Sequence, residues 1–352
     1  MPEQDFLRSH LPTLSSQLPR TGLASLPTPL AGHSARFDGA TRSLLIKYDN
    51  LTGSIYGGNK VRKLEYIFPR ARMRHCVRIA TFGAAGSNHA LATALYAKFS
   101  GFECTCFLSH QAKTPLVAAT LNKHLRNATE LVYYGGDYAS RLRTLRENLW
   151  GRHTWVVPLG GSSWLGTIGF VAAGLELASQ LAAGEEPAPD RLYVAAGTMG
   201  TAAGIALGLA LAGLDTEVHA VRVSDRSIMN PDALERLLRK TASMMRVYDD
   251  AVPASLPGQA KIRIRDEFFA PGYARGTPAT DEAISFASDA FGLELETTYT
   301  AKAMSALLAD WRAGEEFNAL YWHTCNSAAL DVPTDRPLDS SALPEAFRGY
   351  FD

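Results

Sequence analysis

Tyr56-Gly57-Gly58-Asn59-Lys60-Val61-Arg62-Lys63-Leu64-Glu65-Tyr66 sets one lysine at the end of a Gly-Gly turn and a second lysine three residues later. Glycines open backbone conformations closed to other residues, so this turn delivers Lys60 into a crowded, structured place. A solvated surface lysine has no need of that setting. A lysine that forms a Schiff base does, because its amine must sit beside a fixed carbonyl and lose its proton readily.

The chain on either side reads as alternating strands and helices. Ser25 to Ala31 is a proline-rich, extended leading segment, and Thr41 to Tyr48 is a β-prone strand. A helix is predicted from Val61 to about Arg72, then a strand over Val77 to Phe82. The loop Gly83-Ala84-Ala85-Gly86-Ser87-Asn88-His89 leads into a helix ending near Phe99, and Phe102 to Leu108 is the next strand. Strand, loop, helix and strand within about thirty residues is the pattern of a parallel crossover. Thr114-Pro115 starts another helix, with threonine as cap and proline at the first position. Glu130 to Tyr134 reads as strand and Tyr138 to Trp150 as helix.

Composition shifts at Pro158-Leu159-Gly160-Gly161-Ser162-Ser163, after which Thr167 to Leu181 reads as helix. Ala183 to Asp190 reads as a surface linker. A second crossover follows: strand Arg191 to Ala196, helix Thr201 to Gly213, strand Val218 to Val223, and the alternation runs on to the strand Asn318 to His323. The class is α/β with two open, mostly parallel sheets.

Lysine plus arginine equals aspartate plus glutamate, 35 each among 352 residues, so bulk charge gives no reason to expect nucleic acid or an anionic membrane. Cys76, Cys104, Cys106 and Cys325 form no CxxC pair and no metal spacing, so no metal site is expected. Cys104 and Cys106 alternate along an apolar run and are expected to be core thiols, which fits a reducing compartment. Met1 to Arg20 carries no apolar signal core. Tyr193 to Leu214 is uncharged over 22 residues, but its glycines make it strand, loop and buried helix rather than a membrane span.

Ala195-Ala196-Gly197-Thr198-Met199-Gly200-Thr201 lies between a strand and a helix. Such a loop turns N–H groups inward at a helix N-terminus, and two threonine hydroxyls complete a phosphate shell. Met199 breaks the GxGxxG spacing, so dinucleotide binding is rejected, and the lysine of a P-loop is absent. A tight turn without a ligand is the plainer reading of this loop alone. Gly86-Ser87-Asn88-His89 also closes a strand and opens a helix, with Ser87 or Asn88 as cap by default. His89 reads as a packing residue. Tyr273 and Tyr299 are read first as packing tyrosines. The polar cluster Trp322 to Ser327 stands at the C-terminal end of a strand, where α/β sheets bind ligands. A reactive lysine beside a phosphate cradle and a partner for a ring nitrogen points to pyridoxal phosphate.

These pieces, in this order, resemble the D-cysteine desulfhydrase and 1-aminocyclopropane-1-carboxylate deaminase family, tryptophan-synthase-β-like enzymes of fold type II. The resemblance runs from Leu26-Pro27-Thr28-Pro29-Leu30 through Ile46 to Gly53, Gly57 to Glu65, Gly86 to Ala90, Gly197 to Thr201 and Tyr299 to Ala303, ending near Thr324. It implies two domains, each an open twisted sheet flanked by helices, with the cofactor in the cleft between them. Residues 1–65 and 173–352 would form the large cofactor-binding domain and 66–172 the small one. Lys60 would hold the cofactor as a Schiff base and shuttle the proton. Lys63 and Gly197, Thr198, Met199, Gly200 and Thr201 would hold its phosphate. Asn88 would bond the ring's phenolic oxygen, and Ser87 would meet the substrate carboxylate or act on the substrate. Tyr273 and Tyr299 match tyrosines near the substrate, and Thr324 would meet the pyridine nitrogen. A neutral partner there makes the ring a weaker electron sink and favours elimination over transamination.

The chain departs from the family pattern at Asn50, Gly86, Met199, Thr300 and Cys325-Asn326. Thr300 stands where ring-opening deaminases carry a glutamate. The implied activity is therefore a cytoplasmic, homodimeric pyridoxal phosphate lyase in amino-acid metabolism. It would release a 2-oxo acid and ammonia from a small D-cysteine-like amino acid. Ring-opening deamination, an L-cysteate-type sulfo-lyase and a non-catalytic cofactor-binding paralogue are the alternatives.

Overall fold

A computed structural model describes residues 5–149, 153–269, 271–326 and 331–352. Its strands are β1 (Leu30–Phe37), β2 (Ala40–Tyr48), β3 (Arg78–Ala84), β4 (Glu103–Ser109), β5 (Glu130–Tyr133), β6 (Thr154–Val157), β7 (Arg191–Ala196), β8 (Glu217–Arg222), β9 (Ile262–Arg265) and β10 (Ala319–His323). They form a six-stranded sheet in the order β1-β2-β10-β7-β8-β9 and a four-stranded sheet in the order β5-β4-β3-β6. Only the β1–β2 hairpin is antiparallel among the described pairs; the expected α/β class with mostly parallel sheets is what forms. The leading segment expected to be merely extended ends in β1 at Leu30. The hairpin's partner β2 supplies every residue of β1 with a pair, from Leu30 opposite Lys47 to Phe37 opposite Ala40. The expected helix over Tyr138 to Trp150 forms as Tyr138–Leu149, and Trp150 lies outside the described residues.

The chain makes two compact units: Met1–Tyr66 with Ser162–Ser327, and Ile67–Gly161 with Ala328–Asp352. This partition differs from the expected 1–65 plus 173–352 and 66–172. The helix Trp164–Ala183 lies wholly in the larger unit, and the C-terminal segment belongs to the smaller one. The reason is local packing. Leu343, Phe347 and Tyr350 complete an apolar cluster with Ala85, Ala90, Cys106, Leu108, Val117 and Leu121, residues of the β3 and β4 layer and its helices.

In the larger unit the core lies on both faces of the six-stranded sheet. Leu44, Ile46, Tyr193 and Tyr321, alternate residues of three strands, pack against Ala303, Met304, Leu307 and Trp311 of the helix Thr300–Arg312. Elsewhere in this unit the helices Trp164–Ala183 and Gly200–Leu211 press backbone against backbone. A Cβ on Gly208 would stand 2.3 Å from the Val171 carbonyl oxygen, and one on Gly204 would stand 2.4 Å from Phe170 Cβ. That close approach is why the uncharged 193–214 stretch is so rich in glycine. The stretch is interrupted, as expected, by the break between β7 and the helix Gly200–Leu211. Trp164–Ala183 is long and apolar enough to cross a membrane, but 72% of its apolar window is buried inside the protein. The four cysteines are free thiols; Cys106 is fully buried and Cys104 only partly.

Beneath the lysine turn lies a fully buried ionic quartet. Arg62 meets Asp49 at 2.7 Å and Glu176 at 2.8 Å, and Lys47 meets Glu176 at 2.5 Å. Thr28 and Gln180 complete it: the Lys47 ammonium donates to the Thr28 carbonyl and to the Gln180 side chain. Burial alone would raise the Glu176 carboxyl, but Arg62 and Lys47 outweigh it and bring its pKa down to about 2. A carboxylate with a depressed folded pKa adds stability above its unfolded pKa, near 4.5, and loses it as pH falls towards 2.

Replacing one member would leave buried charge uncompensated. We expect Glu176→Gln to cost about 3–5 kcal/mol in urea unfolding at neutral pH. The acid-induced loss of stability below pH 4.5 should be shallower in the variant. A cost below about 1 kcal/mol would show that the quartet is not needed for stability.

Candidate active site

Three adjacent parallel strands of the larger unit, β2, β10 and β7, end side by side. Their C-terminal ends carry the lysine turn, the Thr324 turn and the Gly197–Thr201 loop, the edge at which open α/β sheets gather ligand groups. Hydrogen bonds join the three. Asn59 N–H donates to the Thr324 carbonyl at 3.2 Å. The Asn59 side-chain amide donates to Thr201 Oγ1 at 3.1 Å. Thr52 Oγ1 donates to the Gly58 carbonyl at 2.7 Å. Gly58 has φ of +87°, and a Cβ on it would lie 2.9 Å from the Thr324 oxygen. Glycine is required there on both counts.

Lys60 follows this turn directly. Burial lowers its pKa to about 8, so a substantial fraction of the amine is neutral near physiological pH. Lys63, one turn of helix further on, is 1% exposed. Burial and the neighbouring Lys60 charge hold its pKa well below the usual lysine value. Lys63 Nζ donates to Ser162 Oγ at 3.2 Å. Ser162 Oγ also takes the Gly200 N–H at 3.2 Å and meets Thr198 Oγ1 at 2.7 Å. A Cβ on Gly200 would intrude on this group, 2.5 Å from Ser162 Oγ and 3.0 Å from Lys63 Nζ. Hydroxyls, an N–H at a helix start and the buried Lys63 amine thus converge on a space kept open by a missing side chain. The set suits a phosphate dianion, whose charge would restore the Lys63 ammonium. Met199 within this loop has φ of +64°, a strained conformation for a residue with a side chain.

The two tyrosines meet. Tyr273 and Tyr299 share a hydroxyl–hydroxyl hydrogen bond of 2.6 Å, with rings at 82° and centroids 6.1 Å apart. The Tyr299 ring edge lies 4.0 Å from where a Gly197 Cβ would be. Burial raises both phenols, Tyr299 well above its usual value, so both keep their protons at neutral pH. Lys302 Nζ fixes the loop carrying Tyr273, donating to the Phe269 and Gly272 carbonyls at 3.0 and 2.9 Å.

Thr300, the departure from the ring-opening pattern, is engaged by Glu296. Its hydroxyl accepts the Glu296 N–H at 2.8 Å and donates to the Glu296 carboxylate at 3.1 Å. That carboxylate also takes the N–H groups of Thr298, Tyr299 and Thr300 at 2.7, 2.9 and 2.8 Å, capping the helix Thr300–Arg312. Cys325 is partly exposed, and burial followed by the Glu296 charge keeps its thiol protonated.

The smaller unit carries the remaining candidates. Its strand order reverses between β3 and β6, a topological switch point. The loop at the end of β3 holds Ser87 and leads into Asn88, the first residue of the next helix. Ser87 caps the helix Asn88–Phe99, its hydroxyl accepting the Ala90 N–H at 3.3 Å. Gly83 makes room for it, since a Cβ there would lie 2.7 Å from Ser87 Oγ. Gln111 fills the space left by the Gly86 departure: its side-chain carbonyl accepts the Gly86 N–H at 2.9 Å. His89 packs inward against Thr81 at 2.9 Å, as the sequence suggests.

Ser162 and Glu296 are not singled out by the sequence. Ser162 sits in what reads only as a composition shift, although two glycines in left-handed conformation, Gly160 and Gly161, precede it. Glu296 has one sequence signal, its place four residues before Thr300 at the start of an apolar helix.

Residues 23–320 match the family described as pyridoxal-phosphate dependent enzymes. The chain is 32% identical over 332 residues to a D-cysteine desulfhydrase of Salmonella choleraesuis strain SC-B67, covering 90% of this chain and 96% of that protein. It is 31% identical, with the same coverage, to a D-cysteine desulfhydrase of Salmonella paratyphi B. A solved ACC deaminase homologue superposes with a TM-score of 0.73 at 26% identity, over 92% of this chain and 95% of that one.

The anion seat makes a direct prediction. Gly200→Ala should weaken binding of pyridoxal phosphate by about tenfold or more in equilibrium dialysis, about 1.4 kcal/mol. Gly258→Ala, where a Cβ meets open space, should leave affinity unchanged. Equal affinities in the two variants would remove the phosphate from this loop.

Proposed function

The chain belongs to the pyridoxal-phosphate dependent enzyme family, and from that premise we propose that it is a lyase acting on a small β-substituted, D-cysteine-like amino acid. The reaction is α,β-elimination with deamination; for cysteine and water the products are pyruvate, ammonia and hydrogen sulfide. The carrying observation is a partly buried Lys60, its pKa lowered by burial to about 8, on a turn bonded directly to the loop that forms the anion seat. The donor set fits the cofactor: an amine for its aldehyde, and Lys63, Ser162, Thr198, Gly200 and Thr201 for its phosphate. Bound there, pyridoxal phosphate supplies an electron sink for the bonding electrons of the substrate's α-carbon.

The residues divide the remaining work. Lys60 Nζ takes the α-proton as general base, a role suited to an amine titrating near 8. The Tyr273–Tyr299 pair holds a proton between two phenolic oxygens and can donate it to the departing β-group. From the family resemblance, Asn88 would be the partner of the ring's phenolic oxygen and Ser87 would meet the substrate carboxylate. Thr324 would offer a neutral hydroxyl to the ring nitrogen. Met199 belongs to the phosphate loop through its backbone. The 31–32% identity to D-cysteine desulfhydrases supports the β-thiol substrate.

Ring-opening deamination is the second reading, supported by the likeness to an ACC deaminase homologue. The engagement of Thr300 with Glu296, in place of a free carboxylate at position 300, weighs against it. A β-sulfonate substrate of L-cysteate type is a third. The free thiols support a reducing, cytoplasmic setting. A homodimer is part of the proposal and is checked by sedimentation.

Borohydride reduction and peptide mapping should place the cofactor on Lys60. A label on another lysine overturns the assignment. In a panel of D- and L-amino acids bearing β-thiol, β-chloro, β-hydroxyl and β-sulfonate groups, D-cysteine should release 2-oxo acid fastest. Release of 2-oxobutanoate from the cyclopropane amino acid, with none from the thiols, would instead favour ring opening. Cofactor capture, followed as visible absorbance, should speed up as pH rises through about 8 and then level off, because the neutral amine is the nucleophile. A rate flat from pH 6 to 9 would mean that Lys60 titration does not control capture.

A further inference from the structure

The turn before Lys60 is held residue by residue, and one of its holds comes from a side chain far along the chain. Gly57 N–H donates to Asn326 Oδ1 at 2.7 Å. A Cβ on Gly57 would lie 2.0 Å from the Asn50 carbonyl oxygen on one side and 3.3 Å from Asn326 Oδ1 on the other. Gly58 is packed against the same segment, since its Cβ would lie 3.2 Å from Asn326 N. Gly58 O and Asn59 N–H are fixed by Thr52 and by the Thr324 backbone. Gly57 is thus the first fixed point of a turn built on the two residues that lose most conformational freedom on ordering.

We propose that Asn326 is a positioning residue for Lys60, its side-chain carbonyl latching the Gly57–Gly58 turn so that the amine is presented in one orientation. The proposal rests on the reading of Lys60 as the cofactor-bearing lysine. A backbone-only Thr324 contact holds Asn59 whatever the side chains are, whereas the latch on Gly57 exists only because residue 326 carries an acceptor. Asn326 touches neither the phosphate seat nor the tyrosine pair through any of these bonds. Its loss therefore acts on the aim of Lys60 rather than on cofactor affinity at the phosphate end. Two flexible glycines released at their N-terminal end let the amine wander by a fraction of an ångström to an ångström, enough to cost a large factor in rate.

The test compares the holoenzymes of wild type, Asn326→Leu, which keeps bulk and removes the acceptor, and Asn326→Asp, which keeps the acceptor. Asn326→Leu should lower kcat about tenfold or more with KM changed less than about threefold. Its visible circular-dichroism band, which reports the orientation of the Lys60-bound chromophore, should weaken or change shape. Asn326→Asp should restore both. A leucine variant with unchanged kcat and an unchanged dichroism band overturns the proposal. So does an aspartate variant that falls as far as leucine, because packing rather than the acceptor would then be at work. A fall in melting temperature with an unaltered band and kcat reduces Asn326 to a structural residue and likewise overturns it. Borohydride mapping of the wild type separates the two levels: a label away from Lys60 sinks the underlying assignment, while a label on Lys60 with unaffected variants sinks only the latch.

Discussion

The buried quartet of Lys47, Asp49, Arg62 and Glu176 is the constraint on which the larger unit depends. Lys47 and Asp49 stand at the end of β2, and Arg62 stands two residues past Lys60. Glu176 comes from the middle of the helix Trp164–Ala183. The loop that presents Lys60 is therefore stapled before and after by a single ionic cluster. Two cations against two anions leave no formal charge to solvate. Desolvating four ions is expensive, and an apolar cluster of the same volume would often be at least as stable. What the ions add is geometry: the bidentate Arg62 contacts fix the first turn of the helix in rotation as well as in distance.

Much of the fold was legible because the motifs fall where parallel sheets put them. The strand, loop and helix around Gly86-Ser87-Asn88, and again around Gly197–Thr201, are local patterns, and each formed within a residue or two of its expected bounds. The Lys60 turn was legible for the same reason, since Gly57 and Gly58 announce a backbone that only glycine tolerates. What escaped notice is long-range. Glu176 reads as a lone acid on an apolar helix, and only folding brings it to Arg62, 114 residues away. Ser162 reaches Lys63 and Gly200 because the helix that starts just after it, Trp164–Ala183, packs on Gly204 and Gly208, a contact no local pattern encodes. The place of Phe347 and Tyr350 in the core of the smaller unit was missed because their short C-terminal segment carries no sustained periodicity.

The departures from the family pattern also acquire physical content. The missing side chain at Gly86 is matched by Gln111, whose amide nitrogen lies 2.9 Å from the position a Cβ would take. Thr300 is not a free hydroxyl but half of a reciprocal cap with Glu296. Met199 keeps a left-handed backbone that would suit glycine, yet its side chain is buried, so strain in the loop is offset by apolar burial. Departures from the family pattern thus come in compensated sets, and a chain compared position by position would miss the compensation.

The Tyr350 hydroxyl donates to the Gln111 carbonyl and accepts the Gln111 N–H, both at 2.9 Å, across a sequence separation of 239 residues. Gln111 in turn holds Gly86, the residue before Ser87. A ribosome must therefore add more than two hundred residues after the β3 loop before that loop receives its last support. Throughout that interval the nascent smaller unit has an open apolar face where Leu343, Phe347 and Tyr350 will later sit. A protease acting on the C-terminal segment would remove the Tyr350 contact and so loosen a loop it never touches.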